Sequence, residues 1–126
     1  MNNKQKTKNN SDLLPRIAEI YAHEVYSVTK KLPREELFGL TSQIRRAALS
    51  VPLNIIEGYA RQSRKTEIQF LRIAYGSLKE PQFILQFAVA ENYLTHADIK
   101  NAHNYGEQAA KLIWSKTNSL IAKGSG

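Results

Sequence analysis

Apolar residues recur at spacings of three and four along most of this chain, with no alternating runs, which predicts helices and no strands. In the first block Leu14, Ile17, Tyr21, Val25, Val28 and Leu32 make one stripe of a helix running from about Leu13 to Lys31. Pro15 is tolerated in its first turn, Pro33 ends it, and Arg34–Phe38 reads as a short turn before Gly39. The second helix is expected from Thr41, as N-cap, to about Gly58–Arg61, with a kink at Pro52. It carries two apolar faces. Leu40, Ile44, Ala47, Ala48, Val51 and Ile55 share one, and Leu49, Leu53, Ile56 and Ala60 lie nearly opposite, at about 100° per residue. A polar strip of Gln43, Arg46, Ser50, Asn54, Glu57 and Arg61 runs between them. Such a helix either sits centrally in its own bundle or buries its second face against another subunit.

The third helix is predicted to start after Ser63 or Thr66, with Thr66-Glu-Ile-Gln69 as a capping box. Leu71, Ala74, Leu78, Leu85 and Val89 form its main stripe, flanked by Phe70, Ile73, Ile84 and Ala88, and the pattern continues through Pro81, which implies a kink rather than a break. The fourth opens on Thr95 with Asp98 at the capping-box position, shows a small-residue stripe of Ile99, Ala102, Gly106, Ala109, Ile113, Thr117 and Leu120, and is expected to stop at Gly124. Short connections make successive helices antiparallel neighbours, so the expected fold is an all-α, up-and-down four-helix bundle over residues 13–123, kinked near Pro52 and Pro81. Residues 1–12 read as a disordered polar and basic tail, and 124–126 as a flexible end.

Composition narrows the chemistry. With 126 residues, 42% hydrophobic and 23% charged, the chain has the size and balance of one globular domain. The absence of cysteine excludes disulfides, thiolate metal sites and cysteine nucleophiles, and agrees with a reducing cytoplasm. No stretch reaches the roughly 18 apolar residues of a membrane span, so a cytoplasmic protein without membrane contact is expected. His96, His103 and Glu107 share a helix face, but no histidine has glutamate three residues before it, as di-iron bundles require. The glycines between the helices' ends occur singly, so no phosphate-cradling loop is present, and no nucleophile, base and oxyanion site assemble. Neither an enzyme, a metal site nor a cofactor is expected.

Charge changes the picture more. Eighteen Lys and Arg against eleven Asp and Glu give a formal +7, which favours polyanions. Three of the lysines, Lys4, Lys6 and Lys8, lie in the tail. Between positions 45 and 72 stand Arg45, Arg46, Arg61, Arg64, Lys65 and Arg72 against only Glu57 and Glu67. Arginine binds phosphate through a planar fork of donors, so these six are the candidate nucleic-acid contacts, with no aromatic platform evident beside them. The competing reading is a solvated charged face with internal pairing.

The segments Phe38-Gly-Leu-Thr-Ser-Gln-Ile-Arg-Arg-Ala-Ala48, Ser50-Val-Pro-Leu-Asn-Ile-Ile-Glu-Gly58 and Phe70-Leu-Arg-Ile-Ala-Tyr-Gly-Ser-Leu78 resemble the bacterial four helix bundle protein family. Its founders are encoded by intervening sequences in 23S ribosomal RNA genes. The resemblance spans roughly residues 13–121. It implies a ring-shaped homopentamer, and it sets Arg45, Arg46, Ser50, Asn54, Glu57 and Gly58, with Gln43 on the same strip, at signature positions. The accessory protein of diversity-generating retroelements is similar at greater distance, and binds nucleic acid and a reverse transcriptase. The chain departs from the family at Pro81, where an unbroken helix is usual. The implied function is a non-enzymatic, oligomeric accessory protein binding structured RNA, such as ribosomal or intervening-sequence RNA, or DNA. The alternative is an oligomeric interaction scaffold.

Overall fold

The computed structural model describes residues 13–125; the tail expected at 1–12 and residue 126 lie outside them. Helix α1 spans Leu13–Thr29, α2 Ser42–Ala60, α3 Arg64–Ser77, α4 Lys79–Ala90 and α5 His96–Ser125. The segments α3 and α4 follow one another as a single leg, so four legs pack as a bundle in which α1 meets α2 and α5, and α3 meets the same two. Tyr21, Val25, Ile44, Val51, Ile55, Leu71, Leu78 and Ile113 are nearly or fully buried at its centre, drawn from every predicted stripe. Among the described residues no strand occurs, and no helix is long and apolar enough to cross a membrane.

Several boundaries move, each for a local reason. Regular helix ends at Thr29, and the chain unwinds through Lys30, Lys31 and Leu32, whose N–H groups donate to carbonyls three residues back, before Pro33. A 3-10 turn, Arg34–Glu36, and a wider π turn, Leu37–Thr41, form the corner, with the helical geometry lost at Gly39. The expected Thr41 cap is not one: Thr41 already has helical dihedrals and makes no capping bond. Glu36 serves instead, its Oε1 accepting from Leu40 N at 3.3 Å. At the next turn Ser63 Oγ accepts from Thr66 N at 3.3 Å, so the cap is Ser63 and not the Thr66 box.

Helix α2 passes through Pro52 uninterrupted. The third leg kinks before its proline, as expected: regular helix ends at Ser77, Leu78 keeps helical dihedrals, and helix resumes at Lys79. A proline ring collides with the carbonyl four residues back, which for Pro81 is that of Ser77. The kink therefore falls ahead of the proline, and Pro81 sits in the first turn of α4, where its missing N–H has no partner to lose within that segment. Helix α4 closes on Asn92 at φ 64°, with Tyr93 N donating to Ala88 O and Asn92 N to Val89 O, the paired bonds of a Schellman end. At the other end of the chain, α5 runs through Gly124 to Ser125, so Gly124 is no stop.

The predicted box at the start of α5 forms in full, Thr95 Oγ1 accepting from Asp98 N and Asp98 Oδ2 from Thr95 N. Asp98 also takes Lys31 Nζ at 2.6 Å, tying the end of α1 to the start of α5. The Lys31 hydrogen bond, with the Thr95 N–H, holds the Asp98 carboxyl below its ordinary value of 3.8. A lowered carboxyl contributes stability that is present above the ordinary value and is lost as pH falls through the folded one. Thermal melts taken down to about pH 2.5 should show that acid loss, and Asp98→Asn should flatten it.

Candidate nucleic-acid interface

The six basic candidates occupy different surfaces. Arg45 turns toward α1, where its Nε donates to Thr29 Oγ1 at 2.9 Å, its Nη2 reaches Tyr26 O at 3.4 Å, and its guanidinium lies 4.8 Å from the Tyr26 ring. It fastens α1 to α2. Arg61, sixteen residues on and so roughly 24 Å along the helix, pairs with Glu57 at 2.5 Å and stacks 5.2 Å from Phe70. Arg46 is exposed, in a cleft of about 510 Å³ with Phe38, Gln43, Ser50 and Glu80. Gln43 Nε2 donates to Glu80 Oε2 at 2.9 Å there, so that cleft holds a carboxylate.

Arg64, Lys65 and Arg72 do come together. They are exposed and line a cleft of about 490 Å³ between α3 and α5, over Ile68, Leu120 and Ile121. Spacing explains it: Lys65 and Arg72 are seven apart on α3, two helical turns on one face. No Asp or Glu lines this cleft, and none of the three cations forms an ion pair with a described residue. Of the six, these three are the ones gathered in one cleft that no carboxylate lines.

The signature strip is mostly spent on the helix itself. Ser50 Oγ donates to Ala47 O at 2.6 Å and Asn54 Nδ2 to Ser50 O at 2.7 Å, on either side of Pro52. Proline leaves the Ala48 carbonyl without its helical donor, and these bonds reinforce the turns around the gap. Gly58 lets α2 pass close to α3: a Cβ there would meet Phe70 Cβ at 3.0 Å. Leu49, Leu53 and Ile56, at 41, 55 and 56% exposure, and exposed Ala60 form the outer apolar face of α2. Among the described residues no group of three or more His, Asp or Glu converges to hold a metal, His96, His103 and Glu107 included.

One neighbour of the basic cleft was not evident in the sequence. Trp114 is 61% exposed on α5, its ring 6.0 Å from that of Tyr75 and tilted by 46°. It borders a pocket of about 260 Å³ that shares Arg72 and Ile121 with the cleft. Trp114 lies outside the α5 core stripe, and its position off that stripe was the available signal.

A comparison with curated proteins gives no match. The model of the family described as 23S rRNA-intervening sequence protein matches residues 16–115. That span takes in α2, α3, α4 and most of α5, with every basic candidate in it, and the chain accordingly belongs to the 23S rRNA-intervening sequence protein family.

Proposed function

We propose that this protein is a non-enzymatic, oligomeric accessory protein that binds structured RNA through the cleft formed by Arg64, Lys65 and Arg72. One observation carries the reading: three exposed cations line a single cleft that contains no carboxylate. The family's description, 23S rRNA-intervening sequence protein, supports RNA as the polymer. Arg45 and Arg61 contribute through the fold, because both are engaged within the chain. A homopentameric ring, as the family resemblance implies, would present the cleft once per subunit and raise weak contacts by avidity.

Phosphate contact dictates the test. Each neutralised phosphate adds about 0.7 to 0.9 to the log–log slope of affinity against salt, so three contacts per engaged subunit give roughly 2 to 3. Filter binding of a structured RNA across salt should show that dependence. Arg64→Glu/Arg72→Glu should lower affinity by an order of magnitude or more at low salt, with assembly unchanged. Equal retention by the two proteins would leave the interaction scaffold as the function.

A further inference from the structure

The basic cleft does not end at its cations. Arg72 and Ile121 also line the pocket of Tyr75, Gly76, Trp114 and Asn118, so a group bound to Arg72 stands at the mouth of that pocket. Its walls are two helix faces. On α3, Arg72, Tyr75 and Gly76 are three and four apart, and on α5 Trp114, Thr117, Asn118 and Ile121 follow the same spacing. At about 260 Å³ the pocket is smaller than the roughly 300–1,000 Å³ that bury a drug-sized ligand.

We infer that this pocket takes one unpaired nucleobase of the bound RNA, stacked on Trp114, while the adjoining phosphates lie on Arg64, Lys65 and Arg72. The inference rests on the reading of the basic cleft as an RNA site and adds that the RNA must offer a splayed base, as in a loop or bulge. Every base has a face to stack, and exposed aromatics beside a basic groove are how single strands are held. Lys79 Nζ lies 5.1 Å from the Tyr75 ring, bracing the side chain against which Trp114 leans. Asn118 offers an amide to a base edge, whereas the Thr117 hydroxyl is already donated to Ile113 O at 2.8 Å. Gly76 is the independent support. Glycine weakens a helix, and here a Cβ would meet no atom within 4 Å, so packing does not require its absence. What the missing side chain supplies is room in the pocket.

The chain has a single tryptophan, so its fluorescence reports this site alone. Oligouridylate should quench the emission, and a blunt-ended duplex of equal nucleotide count should leave it nearly unchanged. In filter binding, Trp114→Ala should weaken oligouridylate on the order of ten-fold or more while Trp114→Phe retains most of the affinity. Gly76→Leu, which has space to fold, should plug the pocket and abolish the quench. Undiminished binding by Trp114→Ala, or equal quenching by the blunt-ended duplex, would overturn the base pocket and leave the phosphate cleft standing. Loss of all RNA binding by the wild type would overturn both. An emission maximum that shifts on dilution without RNA would also overturn it, by identifying the occupant as a second copy of the chain.

Discussion

Leu53→Glu is expected to reduce the assembled protein to a species near 14.3 kDa, the mass of one chain, in light scattering at micromolar concentration. Leu53 is 55% exposed within its own subunit, so the change should leave the bundle folded, with helical circular dichroism preserved. Its neighbours Leu49, Ile56 and Ala60 complete an apolar face of the kind soluble monomers avoid. If a second subunit covers that face, the carboxylate loses water without gaining a partner. That costs several kcal/mol per contact, and about 4 kcal/mol is nearly a thousand-fold in each subunit association. A wild type that already runs as a monomer would remove assembly from the proposed function.

The largest effect on folding is expected at Tyr21, which is 1% exposed and lies against Gly106 of α5, where an added Cβ would stand 3.0 Å from its ring. Tyr21→Ala should cost about 3–5 kcal/mol in urea denaturation, by analogy with other aromatic truncations in cores, against a total of about 5–15 for a domain. Tyr21→Phe should be neutral or stabilising, because the buried hydroxyl has no hydrogen-bond partner among the described residues. The two variants separate packing from polarity. Burial also pushes the phenol well above its ordinary 10.0. In the unfolded chain it ionises near that value and in the folded chain it does not, so this stability is present below 10.0 and is lost as pH rises beyond it. Tyr21→Phe should lose less between neutral pH and about pH 11 than the wild type.

The bundle was legible because its information is periodic and local. Tyr21, Ile44, Ile55, Leu71 and Ile113 fell on stripes, and all are buried. The Thr95–Asp98 box was legible for the same reason, both partners lying within one turn. The kink at Pro81 was legible too, since its ring strikes the preceding turn and the stripe continues past it. Errors came where a residue's partner or conformation is not written in its own stripe. Asn92 closed α4 through a left-handed conformation that no stripe announces. At the candidate site, local charge identified Arg64, Lys65 and Arg72, but not the diversion of Arg45 to Thr29 of another helix. Trp114 escaped because its place beside Arg72, 42 residues earlier, depends on how α5 crosses α3, which periodicity does not encode.

Short turns joining antiparallel legs give the molecule two poles. Lys31 meets Asp98 at one, and Gly124 lines one cleft with Arg64 at the other, so the start of α1, the turn before α3 and the last turns of α5 gather at the second. There Arg16, Arg61, Arg64, Lys65 and Lys123 outnumber Glu57 and Glu67, and at the first pole Lys30, Lys31, Arg34, Arg45, Arg46 and Lys100 outnumber Glu35, Glu36, Glu91 and Asp98. Cations are thus in excess at both ends of the helical axis. A polyanion would be drawn in during diffusion, before any contact forms, and could approach from either end. Association rate, rather than lifetime of the complex, is where that excess acts, and it fades as the Debye length shrinks with salt.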